Sequence, residues 1–174
     1  MNKTILLYWA PGGNVEKAAK AIYEHMGADM LDMMDLASFD LDRFDDYENF
    51  IFGIATVGAE IWRDAKGDNH WNDFFVSTEN KSFEGKTFAF FGLGDQVLYP
   101  DHFVDALGYL KAEVDKRKGS IVGFWPTESY TFTDSEGIAG DKFFGLALDE
   151  DQQDNLTPER IKAWTAQIKR EMGL

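Results

Sequence analysis

Gly92-Leu93-Gly94-Asp95-Gln96-Val97-Leu98-Tyr99-Pro100-Asp101-His102-Phe103 follows the apolar run Thr87-Phe88-Ala89-Phe90-Phe91 and precedes a stretch with helical spacing. A buried strand that ends in a glycine turn and feeds a helix is the repeating unit of a parallel α/β sheet. In such sheets ligands settle outside the carboxyl ends of the strands, where the strand order reverses. Here Gly92 and Gly94 let the backbone approach a ligand, Asp95 supplies a fixed negative charge, and Tyr99 offers a flat face to a planar ring. The same residues also suit an ordinary strand-to-helix turn, so the remainder of the chain has to decide.

The alternation continues in both directions. Lys3 to Trp9 is a short apolar run rich in strand formers, and Glu16 to Met26 carries Ala19, Ile22, Tyr23 and Met26 at helical spacing. A short strand is expected near Met30 to Met34, a stronger one at Phe50 to Ala55, and a helix around Asn69 to Ser77. Phe88 to Phe91 and Ile121 to Trp125 read as further strands. Between them a helix is expected from about Asp101 to Lys118, with Ala106, Leu107, Leu110 and Val114 on one face. The chain closes in a helix opened by Thr157-Pro158-Glu159-Arg160, where Thr157 suits a cap and Pro158 the first turn. Short apolar strands alternating with helices predict a doubly wound, five-stranded parallel sheet of order 2-1-3-4-5 with helices on both faces. Thr127 to Gly140 is turn-rich, and Phe143 to Leu148 is another apolar run. Together they read as an insertion carrying a small extra strand. The acidic run Asp149 to Asp154 lacks the spacing and turn glycine of an EF-hand and reads as a solvated loop.

The length of 174 residues suits a single domain over 1–174, and 44% apolar residues with 15 Phe make a packed core. With zero cysteines there are no disulfides, thiolate metal sites or cysteine-held iron–sulfur clusters, so any redox chemistry must come from a non-thiol cofactor. The start of the chain lacks the parts of a signal peptide, and no run approaches the roughly 20 apolar residues of a membrane span. A cytoplasmic location is expected. A net charge of −14 argues against nucleic acid and anionic membrane as partners and favours basic protein surfaces. The histidines His25, His70 and His102 are scattered, and no His-Glu-x-x-His or Gly-x-Ser-x-Gly pattern occurs, so neither a triad nor a metal site is expected.

From Phe91-Gly92-Leu93-Gly94-Asp95-Gln96 with Tyr99 and Asp101, through Gly145-Leu146-Ala147-Leu148-Asp149-Glu150-Asp151-Gln152, to Leu156-Thr157, Trp164 and Gly173-Leu174, the chain resembles a long-chain flavodoxin from end to end. The resemblance implies a flavodoxin-like fold whose last strand is split by the insertion. It implies a low-potential, one-electron carrier with non-covalently bound flavin mononucleotide (FMN), working as a monomer between the basic faces of reductases and acceptor proteins. The cofactor-binding residues it implies are Ala10, Pro11, Gly12, Gly13, Asn14 and Val15 for the phosphate. Thr56, Val57 and Gly58 would serve the ring's N5 side, with Leu93, Gly94, Asp95, Tyr99, Asp101, His102 and Asp151 around the ring. Two loops depart from the family. Ala10, Gly12 and Val15 stand where hydroxyl side chains are usual, leaving backbone N–H groups to hold the phosphate. The second loop, Thr56-Val57-Gly58-Ala59-Glu60, lacks the usual stacking tryptophan, for which Trp62, His70 and Trp71 are the candidates nearby. Asp95, Asp149 and Asp151 would oppose the negative charge that full reduction puts on the ring. Two other classes share these features. One is an FMN-dependent NAD(P)H:quinone-type oxidoreductase, against which stands the missing third glycine of a dinucleotide fingerprint. The other is a flavin-free binding module of the same fold, which the hydroxyl-poor first loop favours.

Overall fold

A computed structural model describes residues 3–55 and 69–174. Thr56, Val57, Gly58 and Trp62 lie outside the described residues. The elements run β1 (Thr4–Trp9), α1 (Asn14–Met26), β2 (Asp32–Asp35), β3 (Asn49–Ala55), α2 (His70–Ser77), β4 (Thr87–Leu93), α3 (Ala106–Lys116) and β5 (Ser120–Val122). They continue with β6 (Trp125–Pro126), β7 (Ile138–Ala139), β8 (Lys142–Phe143), β9 (Leu146–Leu148) and α4 (Thr157–Met172).

The main sheet has the order β2-β1-β3-β4-β5, all parallel, which is the expected topology. β1, β3 and β4 are buried almost end to end because helices cover both faces, so their sequences are continuous rather than alternating apolar runs. One core, around Ile5, Leu7, Phe50, Phe52, Phe88 and Phe90, packs under α2 and α3. The other, around Leu6, Ile51, Ala89, Phe91 and Trp164, packs under α1 and α4. The phenylalanines fill the first core as stacked rings, Phe44 to Phe50 to Phe88 to Phe83 at centroid spacings of 4.8, 5.1 and 5.1 Å. Gly53 is the small residue this packing requires, since a Cβ there would lie 2.1 Å from the Phe91 ring.

The fifth position of the sheet is filled in two pieces. β5 pairs with Thr87–Ala89 of β4, and β9 pairs with Phe91–Leu93 of the same strand. The predicted strand from Ile121 to Trp125 is therefore cut. At Gly123 the backbone turns to φ +80°, its N–H donates to Glu171, and its carbonyl accepts from the Trp164 indole at 2.8 Å. Trp125 is already in a separate antiparallel sheet of order β6-β8-β7. The apolar run from Phe143 to Leu148 is likewise two strands rather than one, β8 in the small sheet and β9 in the large one, hinged at Phe144-Gly145. Gly145 is the one residue in this apolar run that marks the break.

Two further expectations change. α3 begins at Ala106, not near Asp101, because Val104 turns to φ +46°, outside the helical region; the Asp105 carboxylate at the N-cap is taken by Glu136 N–H at 2.7 Å and by His102. Thr157 does not cap α4. It is that helix's first residue, and its hydroxyl donates to Glu150, while Pro158 sits in the first turn as expected. No helix among the described residues is long and apolar enough to cross a membrane.

Candidate functional site

At the carboxyl ends of β1 and β4, three segments converge. The first is the turn Ala10-Pro11-Gly12-Gly13-Asn14 between β1 and α1, all of it exposed, with Val15 buried beneath. Gly13 is the N-cap of α1 and no side chain caps the helix, so the first-turn N–H groups keep their hydrogen-bonding capacity. Space is open above them: a Cβ at Gly12 or Gly13 would meet nothing within 4 Å. Gly12 holds φ +86°, a conformation that favours glycine. The hydroxyl-free loop thus offers backbone dipoles at a helix N-terminus, a setting suited to an anion.

The second segment is Leu93 to His102. Leu93 is buried at the end of β4, Gly94 and Asp95 are half-buried, and Tyr99 is 40% exposed beside the more exposed Val97 and Leu98. Asp95 shapes this turn. Partial burial works against its charge, but N–H donors from Leu98 and Val97, both at 2.9 Å, and the Gln152 amide at 3.2 Å outweigh it. The net result holds its carboxyl below the usual range. Asp101 is exposed. His102 is half-exposed, but its Nδ1 is 2.9 Å from an Asp105 carboxylate oxygen, and that hydrogen bond raises its pKa. The imidazole is directed at the start of α3.

The third segment is the acidic run after β9. Asp151 is exposed, as a solvated loop predicts, but Asp149 is wholly buried. Its carboxylate accepts from Gln96 N–H (3.0 Å), Gln96 Nε2 (2.9 Å), Asp151 N–H (3.1 Å) and Gln152 N–H (2.9 Å). Asp149 is therefore a tie between two loops rather than a free charge. Gln96, 2% exposed, extends the tie into the insertion, its Oε1 accepting from Thr131 N–H at 2.5 Å. In the sequence Asp149 reads as one of the charges near the ring and as part of a solvated run, and Gln96 has no role of its own. The available signal was position: Asp149 directly follows three buried strand residues and so starts at the sheet edge where Gly94 N–H meets Leu148 C=O at 3.0 Å. Lys17 of α1 reaches Glu150 at 3.3 Å and links the first segment to the third.

Of the aromatic candidates near the second loop, Trp71 is in the core, 1% exposed, with its indole N–H on the Gly53 carbonyl at 3.3 Å. His70 lies against Trp9, ring centroids 4.0 Å apart.

The flavodoxin family model matches residues 6–164. Flavodoxin of Nostoc sp. is 38% identical over 175 residues, covering 100% of both chains. That of Synechocystis sp. is 41% identical over 97% of both, and flavodoxin 1 of Escherichia coli is 39% identical over 98% of this chain and 95% of its own. Among solved structures, Fusobacterium nucleatum flavodoxin bound to flavin mononucleotide superposes with a TM-score of 0.85 at 28% identity, covering 98% of this chain and 99% of that one. The chain belongs to the flavodoxin family.

Proposed function

We propose that this chain is a low-potential, one-electron carrier that binds FMN without a covalent bond and passes electrons between reductases and acceptor proteins. The observation that carries this reading is the uncapped N-terminus of α1 under an open glycine loop, set at the same sheet end as the exposed ring of Tyr99. Bound FMN supplies reversible electron chemistry that the cysteine-free chain lacks. The N–H groups of Gly12, Gly13, Asn14 and Val15 would take the phosphate, with Ala10 and Pro11 shaping the loop. Tyr99 would cover one ring face, and Leu93, Gly94 and Asp95 its edge, flanked by Asp101, His102 and Asp151. Thr56, Val57 and Gly58 are proposed for the N5 side. We read residues 1–174 as one domain acting as a monomer in the cytoplasm. The net charge of −14 supports docking to basic faces of its redox partners.

Titrating the purified protein with FMN, followed by absorbance and quenching of flavin fluorescence, tests this directly. About one flavin should bind per chain, and Tyr99→Ala should weaken binding about tenfold, the scale of one lost stacking contact of about 1–3 kcal/mol. No binding at micromolar flavin sinks the proposal. Steady NAD(P)H oxidation by the pure protein would point to the oxidoreductase class instead.

Asp95 places a carboxylate, held ionised by its donors, beside that ring position. Removing the charge should ease the reduction step that adds negative charge to the ring. Asp95→Asn keeps an oxygen for the Val97 and Leu98 N–H groups, so the turn survives. The expected result is a rise of the second reduction potential by tens of millivolts, about what one partly screened charge supplies. An unchanged potential in redox titration would remove Asp95 from the tuning of the site.

A further inference from the structure

The loop ahead of α1 already holds an anion belonging to the chain. Glu16, in the first turn, reaches back four residues, and its Oε2 accepts from Gly12 N–H at 2.5 Å. Its Oε1 is paired with Lys20 Nζ at 2.8 Å. Burial, and after it the charge of the same carboxylate, raise the pKa of the Tyr8 phenol near the end of β1. These contacts, that with Lys20 foremost and that with Gly12 next, hold the Glu16 carboxyl below its usual range, so it is ionised at neutral pH. The loop has few other donors. Pro11 has no N–H, Ala10, Gly12 and Gly13 have no polar side chain, and Val15 turns its side chain into the core. Apart from the Asn14 amide, an anion here depends on backbone N–H groups, and that of Gly12, one of the four proposed for the phosphate, is taken.

We infer that Glu16 is an internal competitor for the phosphate loop, so that the chain distinguishes FMN from unphosphorylated riboflavin less sharply than the same loop without this carboxylate. The inference rests on the FMN reading proposed above. An arriving phosphate must either displace Glu16 from Gly12 or bind with that N–H withheld and a negative charge alongside. The ring is served by other segments, so Glu16 acts on the phosphate's share of affinity alone. The ratio of riboflavin to FMN dissociation constants isolates that share.

The test measures both constants for the full-length protein, Glu16→Ala and Glu16→Gln by fluorescence quenching, with far-UV circular dichroism to confirm folding. Glu16→Ala should raise the ratio about tenfold, the value of one charge-assisted hydrogen bond returned to the phosphate. Riboflavin binding should be unchanged. Glu16→Gln, which keeps the length and an acceptor oxygen but loses the charge, should raise the ratio by a smaller factor, and it serves as the test if the alanine variant does not fold. The double variant Glu16→Ala with Lys20→Met should keep the gain, which separates competition from the release of the Lys20 charge. A ratio unmoved in both single variants overturns the inference, as does a gain lost with Lys20 or a Gln variant equal to Ala, which would leave charge repulsion alone. If neither flavin binds any of the proteins, the FMN proposal itself has failed.

Discussion

Asp149→Ala should lower the stability of the protein by about 3 kcal/mol, the largest loss expected from any polar substitution near the site. The carboxylate is wholly buried and serves four donors, two from Gln96 and one each from Asp151 and Gln152. Alanine would leave these groups without an acceptor in a space closed to bulk water, and a buried unsatisfied donor costs about 1–3 kcal/mol. The penalties do not add fully, because the exposed 151–152 segment can turn its N–H groups to solvent. Gln96 cannot, being 2% exposed and tied at its other end to Thr131. For a chain of this size the loss corresponds to a fall in Tm of about 6–12 °C. Because Gln96 adjoins Asp95 in the turn that presents Tyr99, FMN affinity should fall too. Chemical and thermal unfolding of the flavin-free protein give the stability. A loss below about 1 kcal/mol would mean that water replaces the carboxylate, and that Asp149 is not what holds the two loops together.

The contrast between Asp149 and Asp151 marks the boundary of what the amino-acid order discloses. Apolar runs identify β1, β3 and β4, and their alternation with helices points to a parallel sheet covered on both faces, because burial on both faces is a local property of composition; the order 2-1-3-4-5 is the doubly wound arrangement that best matches it. Asp95 and Tyr99 were legible for a similar reason, as a turn at the end of a buried strand has one place in such a sheet. Asp149 was read with its acidic neighbours as solvated. Its burial is decided by Gln96, 53 residues away in the chain, and no local pattern encodes that partner. The missing side-chain cap of α3 has the same origin: the Asp105 carboxylate is claimed by Glu136, 31 residues on. The loss of hydroxyls from the first loop was plain in Ala10, Gly12 and Val15, whereas the return of Glu16 onto Gly12 depends on how the turn folds. Local rules reach strands, turns and missing groups. They stop where a side chain is satisfied by a distant segment.

Gly145→Ala should be as damaging through sterics as Asp149→Ala is through lost hydrogen bonds. Gly145 is where the chain leaves the small antiparallel sheet and rejoins the large one, one residue before Leu146 pairs with Phe91. A Cβ built there would lie 2.2 Å from the Phe90 carbonyl oxygen and 2.7 Å from its carbon. Both belong to the backbone of β4, in the middle of the sheet, so no side-chain rotation relieves the contact. The strand must move outward by about 1 Å, which weakens the hydrogen bonds joining β9 to β4 and displaces Asp149 just beyond. Overpacking against a rigid neighbour costs about 1–3 kcal/mol, and the coupled loss of the Asp149 tie puts the expected value at the upper end, about 3 kcal/mol. Gly140→Ala is the control, since a Cβ there meets nothing within 4 Å and only its φ of +62° opposes the change. It should cost about 1 kcal/mol. Equal midpoints for the two variants in urea would show that β9 tolerates displacement, and that close approach of two backbones is not the reason the insertion returns through glycine.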